Sequence, residues 1–168
     1  MSATTVRRAP LSQVDAGFTI ALVLLALTGF RTSFGGLAWL WVGALGLVLG
    51  LVVAVLTAAL RLSVAVVVLA GVAVAVLFGG LVLPDTAVAA ALPSAQTLTA
   101  LLDGGVRGWI SMLSVVPPIG TTYHLLAVPY LAALLAAVVT YSLAARTRWS
   151  WAPLLPPAVL LVLTILFG

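Results

Sequence analysis

Few residues in this chain are able to do chemistry. There is one histidine, His124, with three aspartates, Asp15, Asp85 and Asp103, seven arginines, and no cysteine, glutamate or lysine. Nucleophilic hydrolysis needs a base beside an oriented nucleophile, and a metal site needs about three converging ligands. His124 closes "TTYH" directly before a long apolar run. That position reads as the interfacial start of a helix, with Thr121 or Thr122 as N-cap, rather than as a catalytic base. Asp103 and Arg107 are four residues apart, but Gly104, Gly105 and Gly108 between and after them argue against one continuous helix carrying both. The absence of cysteine removes disulfides, thiolate ligands and a cysteine nucleophile from this chain. We therefore expect no catalytic, cofactor-binding or metal-binding residues and no cofactor. A phosphate loop is not expected either, because "GALGLVLG" at 43–50 lies inside an apolar run.

The elements that would have to position these residues are hydrocarbon-like. Of 168 residues 64% are apolar and 6% are charged, and the mean hydropathy is +1.36. A soluble domain carries about a quarter charged residues, so the bilayer is the solvent that suits this chain. The pI near 10.8 comes from arginines scattered singly or in pairs, with no basic patch, so nucleic acid is not expected as a partner.

A membrane-crossing helix takes about 20 apolar residues. Segments 37–60, 62–83 and 125–145 meet this without a charge, and Arg61 alone separates the first two, which implies a tight hairpin. Segment 14–34 is shorter in its apolar part, and 152–168 opens with Pro153, Pro156 and Pro157, residues tolerated in a first turn. The expectation is an all-α integral membrane bundle, a single domain over 1–168 with about five transmembrane helices. Trp39, Trp41, Trp149 and Trp151 suit its interfaces. Arg7 and Arg8 precede a retained signal anchor, since no A-x-A cleavage pattern follows. Arg7, Arg8, Arg61, Arg146 and Arg148 fall on one side and Arg31 and Arg107 on the other. This bias makes the N-terminus cytoplasmic and the end of the last span extracytoplasmic.

The connection 84–124 is the longest in the chain and is expected to hold short interfacial helices. Ser94 caps the first, whose apolar positions are Ala95, Leu98 and Leu102, and Gly104 and Gly105 end it. Trp109, Met112, Leu113 and Val116 mark a second, ended by Pro117-Pro118. An outer contact surface is expected from Arg107, Trp109, Tyr123 and His124. Gly46 and Gly50 form a small-residue seam, with Ala132/Ala136 and Ala133/Ala137 as matching surfaces on the fourth span. The hydroxyls within the spans (Thr28, Thr57, Ser63, Thr140, Tyr141, Ser142 and Thr164) lie mostly near span ends and are expected to bond the preceding turn of their own helix. No ionisable relay of the kind a pump requires is visible.

The outer "RGWISMLSVVPP", followed by "LLAVPYLAALLAAVVTYSLAARTRWSWAPLLPPAVLLVLTILFG", resembles the N-terminal membrane domain of bacterial transglutaminase-like membrane proteins of the TgpA type, in their actinobacterial form. The Pro-containing fourth span, the Arg146-Thr147-Arg148 step and "LLPP" opening an aliphatic helix carry the likeness. The resemblance implies a plasma-membrane anchor for an extracytoplasmic transglutaminase-like domain further along a longer chain, at the cell envelope. The catalytic Cys, His and Asp of that family belong to the later domain and have no counterpart here. The partners implied are membrane lipids and the attached domain. The alternatives are a small membrane subunit or lipid-binding transporter component that works by assembling with other chains, and last a membrane-embedded enzyme using His124.

Overall fold

The computed structural model describes residues 13–31, 34, 36–83, 93–108, 110, 123–147, 149 and 151–167. The described residues form six α-helices. Helix α1 spans Gln13–Leu27 and runs into a 3-10 turn, Thr28–Arg31. Helices α2 (Ala38–Ala59) and α3 (Val64–Val82) form a hairpin. The short α4 is Ala95–Val106, α5 is Tyr123–Arg146, and a 3-10 turn at Ala152–Leu154 leads into α6, Leu155–Phe167. Three of these, α2, α3 and α5, are long and apolar enough to cross a membrane.

The centre of the bundle is α5, which packs on α1, α2, α3, α4 and α6 and most extensively on α2. Gly46 faces the carbonyl of Tyr130, and Gly50 faces Leu134 and Ala137. The Arg146 guanidinium donates to the Leu62 carbonyl at 2.8 Å. All three contacts join residues 84 apart in sequence, so α2 and α5 run parallel and in register along their whole length. Arg61 and Arg146 thus lie at one end of the bundle. The other end holds the start of α2, the close of α3 and the start of α5, and it is there that Leu27, in the last turn of α1 before Arg31, meets Gly43.

The α2–α3 connection is tight because its caps are satisfied locally. The Arg61 amide donates to Ala58 at 3.1 Å and the Leu62 amide to Thr57 at 2.9 Å, the paired bonds of a Schellman close. That close needs a left-handed residue, and here it is Arg61, with φ of 53°. Glycine would adopt this conformation at about 1 kcal/mol less.

Ser94 caps α4 as expected. Its Oγ accepts from the amides of Gln96 and Thr97 at 3.1 and 3.2 Å, and the Thr97 hydroxyl accepts from the Ser94 amide at 3.1 Å. The expected stop at Gly104 and Gly105 is not found: α4 runs through both to Val106. Each glycine costs a helix about 1 kcal/mol against alanine, and close packing offsets that cost. Gly104 is buried, a Cβ on Gly105 would stand 3.3 Å from Leu131, and one on Gly108 would stand 2.6 Å from Val128. The same correction applies to Asp103 and Arg107. One helix carries Asp103 and is closed by Arg107, and the two side chains pair at 3.2 Å. Of the second short helix, Gly108 and Ile110 are helical; Met112, Leu113 and Val116, like Asp85, Thr121 and Thr122, lie outside the described residues.

Candidate functional site

Two regions hold the residues singled out by sequence: the seam between α2 and α5, and the end of the bundle where α4 sits.

At the seam the small residues of α2 are in backbone contact with α5. A Cβ on Gly46 would collide with the Tyr130 carbonyl, and one on Gly50 would stand 2.6 Å from the Leu134 carbonyl and 3.0 Å from the Ala137 methyl. Ala133 and Ala137 are fully buried. Ala132 and Ala136 point elsewhere, into a groove shared with Leu155, Val159 and Leu160 of α6. The two alanine pairs are offset by one residue, and one residue turns a helix face by about 100°.

Tyr130 follows Pro129 inside α5 and is the largest fully buried side chain among the described residues. Its hydroxyl donates to the Ala75 carbonyl of α3 at 3.2 Å. This link ties α3 to α5, and sequence reasoning passed it over; the signal was a tyrosine set mid-span beside a proline. A second link was also missed. The Thr164 hydroxyl lies 3.1 Å from the Ala26 carbonyl and 2.9 Å from the Leu161 carbonyl of its own helix. Its side chain sits over Gly29, where any Cβ would meet it. Thr28 and Thr57 bond the preceding turn of their own helices, as expected. Thr140 does not: its Oγ1 and the Trp39 Nε1 are buried without a partner.

Expected as an interfacial pair, the α2 tryptophans separate, with Trp39 buried and Trp41 exposed. Two residues along a helix are about 200° apart, so one indole enters the bundle while the other leaves it. Trp149 and Trp151 are exposed beyond the Arg146 end and stack with ring centroids 5.2 Å apart.

At the opposite end, Arg107 and Asp103 are 77% and 62% exposed, and a pair this open contributes only a few tenths of a kcal/mol. Tyr123 and His124 are the first two residues of α5, and their side chains lie outside the described set, as does the whole of Trp109. The backbone still brings the Arg107–Gly108 close of α4 near the start of α5, because Gly108 abuts Val128, one turn along α5 from His124. Arg7, Arg8 and Arg148 lie outside the described residues. Among the described residues no three His, Asp, Glu or Cys side chains come together in a way that could hold a metal ion. What the described residues offer chemically is packing, apolar binding and exposed charge recognition.

Comparison with known proteins finds no matching family model, curated protein or solved structure. The class defined by fold and surface is an all-helical protein with three helices fit to span a membrane.

Proposed function

We propose that the chain is a non-catalytic membrane platform of about five spans, holding an extracytoplasmic domain of the transglutaminase-like type over its α4 face. The observation that carries the reading is the division of charge between the two ends of the bundle. Arg61 and Arg146 share one end through the Arg146–Leu62 bond, Arg31 and Arg107 lie toward the other, and with Arg7, Arg8 and Arg148 assigned from the sequence to the Arg61 end the count of five against two supports a cytoplasmic Arg61 end. From exposed Trp41 to Ala59, where α2 ends just before Arg61, the helix rises about 27 Å, close to the thickness of a bilayer core. The shorter end helices become long enough with their 3-10 extensions. Helix α1 and its turn reach about 30 Å, and α6 with its leading turn about 26 Å. Thr164, late in α6, meets Ala26, late in α1, and Gly29 in the 3-10 turn that follows it. A domain joined after α6 would therefore emerge at the end of the bundle that carries α4, Arg107 and the start of α5.

The test is the intact mass of the native protein taken from its own membranes. A mass far above 17.2 kDa is expected for a covalently attached domain. A mass of 17.2 kDa would sink the anchor and leave the small-subunit reading, with its partners as separate chains.

A further inference from the structure

We propose that the groove between α3 and α5, closed at one end by α4, holds one acyl chain of a zwitterionic phospholipid, whose headgroup is met by Arg107 and Asp103. The inference stands whether or not a further domain is attached.

The groove encloses about 460 Å³, within the size range of pockets that hold a small ligand. Its inner wall is built from buried residues: Val67, Gly71 and Ala75 of α3, Leu134 and Val138 of α5, and Leu101 of α4. Gly71 is buried, yet a Cβ placed on it would meet no atom within 4 Å. The space beside it is therefore open. An unfilled void forfeits dispersion contacts along its whole lining, and in a membrane the available filler is hydrocarbon.

The dimensions fit one leaflet. Along α5 the groove runs from Val128 to Val139, about 16 Å of helix rise, and half of a bilayer core is about 15 Å. Its shallow end is roofed by α4, seated by Leu101 against Gly79 and by Gly105 against Leu131. By the α2–α5 register, Leu125 stands level with Trp41, so α4 contacts α5 about 4 to 9 Å below that indole. This is the depth at which amphipathic helices rest in the headgroup boundary. A lipid chain in the groove therefore has its headgroup beside α4.

The charges on α4 choose the headgroup. Leu102 and Val106 line the groove, and Asp103 and Arg107 follow each of them by one step around the helix. The two ions are 3.2 Å apart and largely exposed, and so open pairs are weak and free to take better partners. A guanidinium bonds a phosphate bidentately, and the neighbouring carboxylate accepts from an ammonium. An anionic lipid would meet Arg107 equally well but would bring its surplus negative charge beside Asp103, which opposes it.

The experiment is native mass spectrometry of the protein reconstituted in vesicles of equal phosphatidylethanolamine and phosphatidylglycerol, then released in mild detergent. One phosphatidylethanolamine retained per chain, in preference to phosphatidylglycerol, is expected. Gly71→Phe should lower that occupancy about tenfold or more, while Gly71→Ala, which leaves most of the space, should keep it and should melt no lower than the native chain. The double variant Asp103→Asn/Arg107→Gln should erase the headgroup preference and weaken retention about fivefold, the scale of exposed charge contacts. Equal retention of both lipids by the native chain, undiminished retention by Gly71→Phe, or a lipid-free dimer in place of the lipid-bound chain would each overturn the proposal.

Discussion

Helices α3 and α5 are both long enough to cross a membrane, yet they solve opposite problems. Helix α3 has the higher mean hydropathy, 2.8 against 1.9, but only 28% of its span is buried in the protein, against 72% for α5. In a soluble protein the most apolar helix goes inside. Here the less apolar helix is the core, because lipid makes no demand for polar cover and the interior is selected for close fit. The valines and leucines of α3 (Val64, Val68, Leu69, Val72, Leu77) are exposed, whereas α5 turns alanines, Pro129, Tyr130 and Thr140 inward.

This contrast is sharpest at the glycines. Replacing Gly46 with leucine pushes a side chain into the Tyr130 backbone, which cannot yield locally, and we expect a loss of about 3 kcal/mol or more with separation of α2 from α5. Reversible unfolding in mixed micelles would show it. By the same assay Gly71→Ala on α3 should have the opposite sign, gaining up to about 1 kcal/mol, since its Cβ enters open space and glycine is a poor helix residue. Equal effects at the two glycines would break the distinction between the helices.

Smaller effects sharpen the same picture. Tyr130→Phe removes the hydroxyl that links α5 to α3 and should cost about 0.6 to 1.7 kcal/mol, the range for interhelical hydrogen bonds in membranes. Thr140→Val should gain up to about 1 kcal/mol, because the buried hydroxyl it removes has no partner. Leu69→Ala on the lipid face of α3 should change unfolding by about 0.5 kcal/mol or less.

Span positions were legible in the sequence because uninterrupted apolar length is a strong signal. Segment 37–60 became Ala38–Ala59, 62–83 became Val64–Val82, and 125–145 became Tyr123–Arg146. Ser94 was legible as a cap for a local reason, its hydroxyl reaching amides two and three residues on. The extent of α4 was not, since propensity places a stop at Gly104-Gly105 and only packing on Leu131 and Val128 overrides it. The role of Tyr130 was hidden for the same cause: its acceptor lies 55 residues away on another helix. Of the candidate surface, Arg107 was legible as a residue and its ion pair was not. Burial itself was the hardest to read, because in a chain this apolar hydropathy marks the lipid face and the core alike.

The most direct test of the account is the placement of the two ends of the bundle across the membrane. The chain has no cysteine, so Arg107→Cys and Thr147→Cys give single labels without background. A membrane-impermeant maleimide added to intact cells should modify position 107 and spare position 147 until the membrane is opened. Modification of 147 with protection of 107 would invert the bundle and contradict the platform reading.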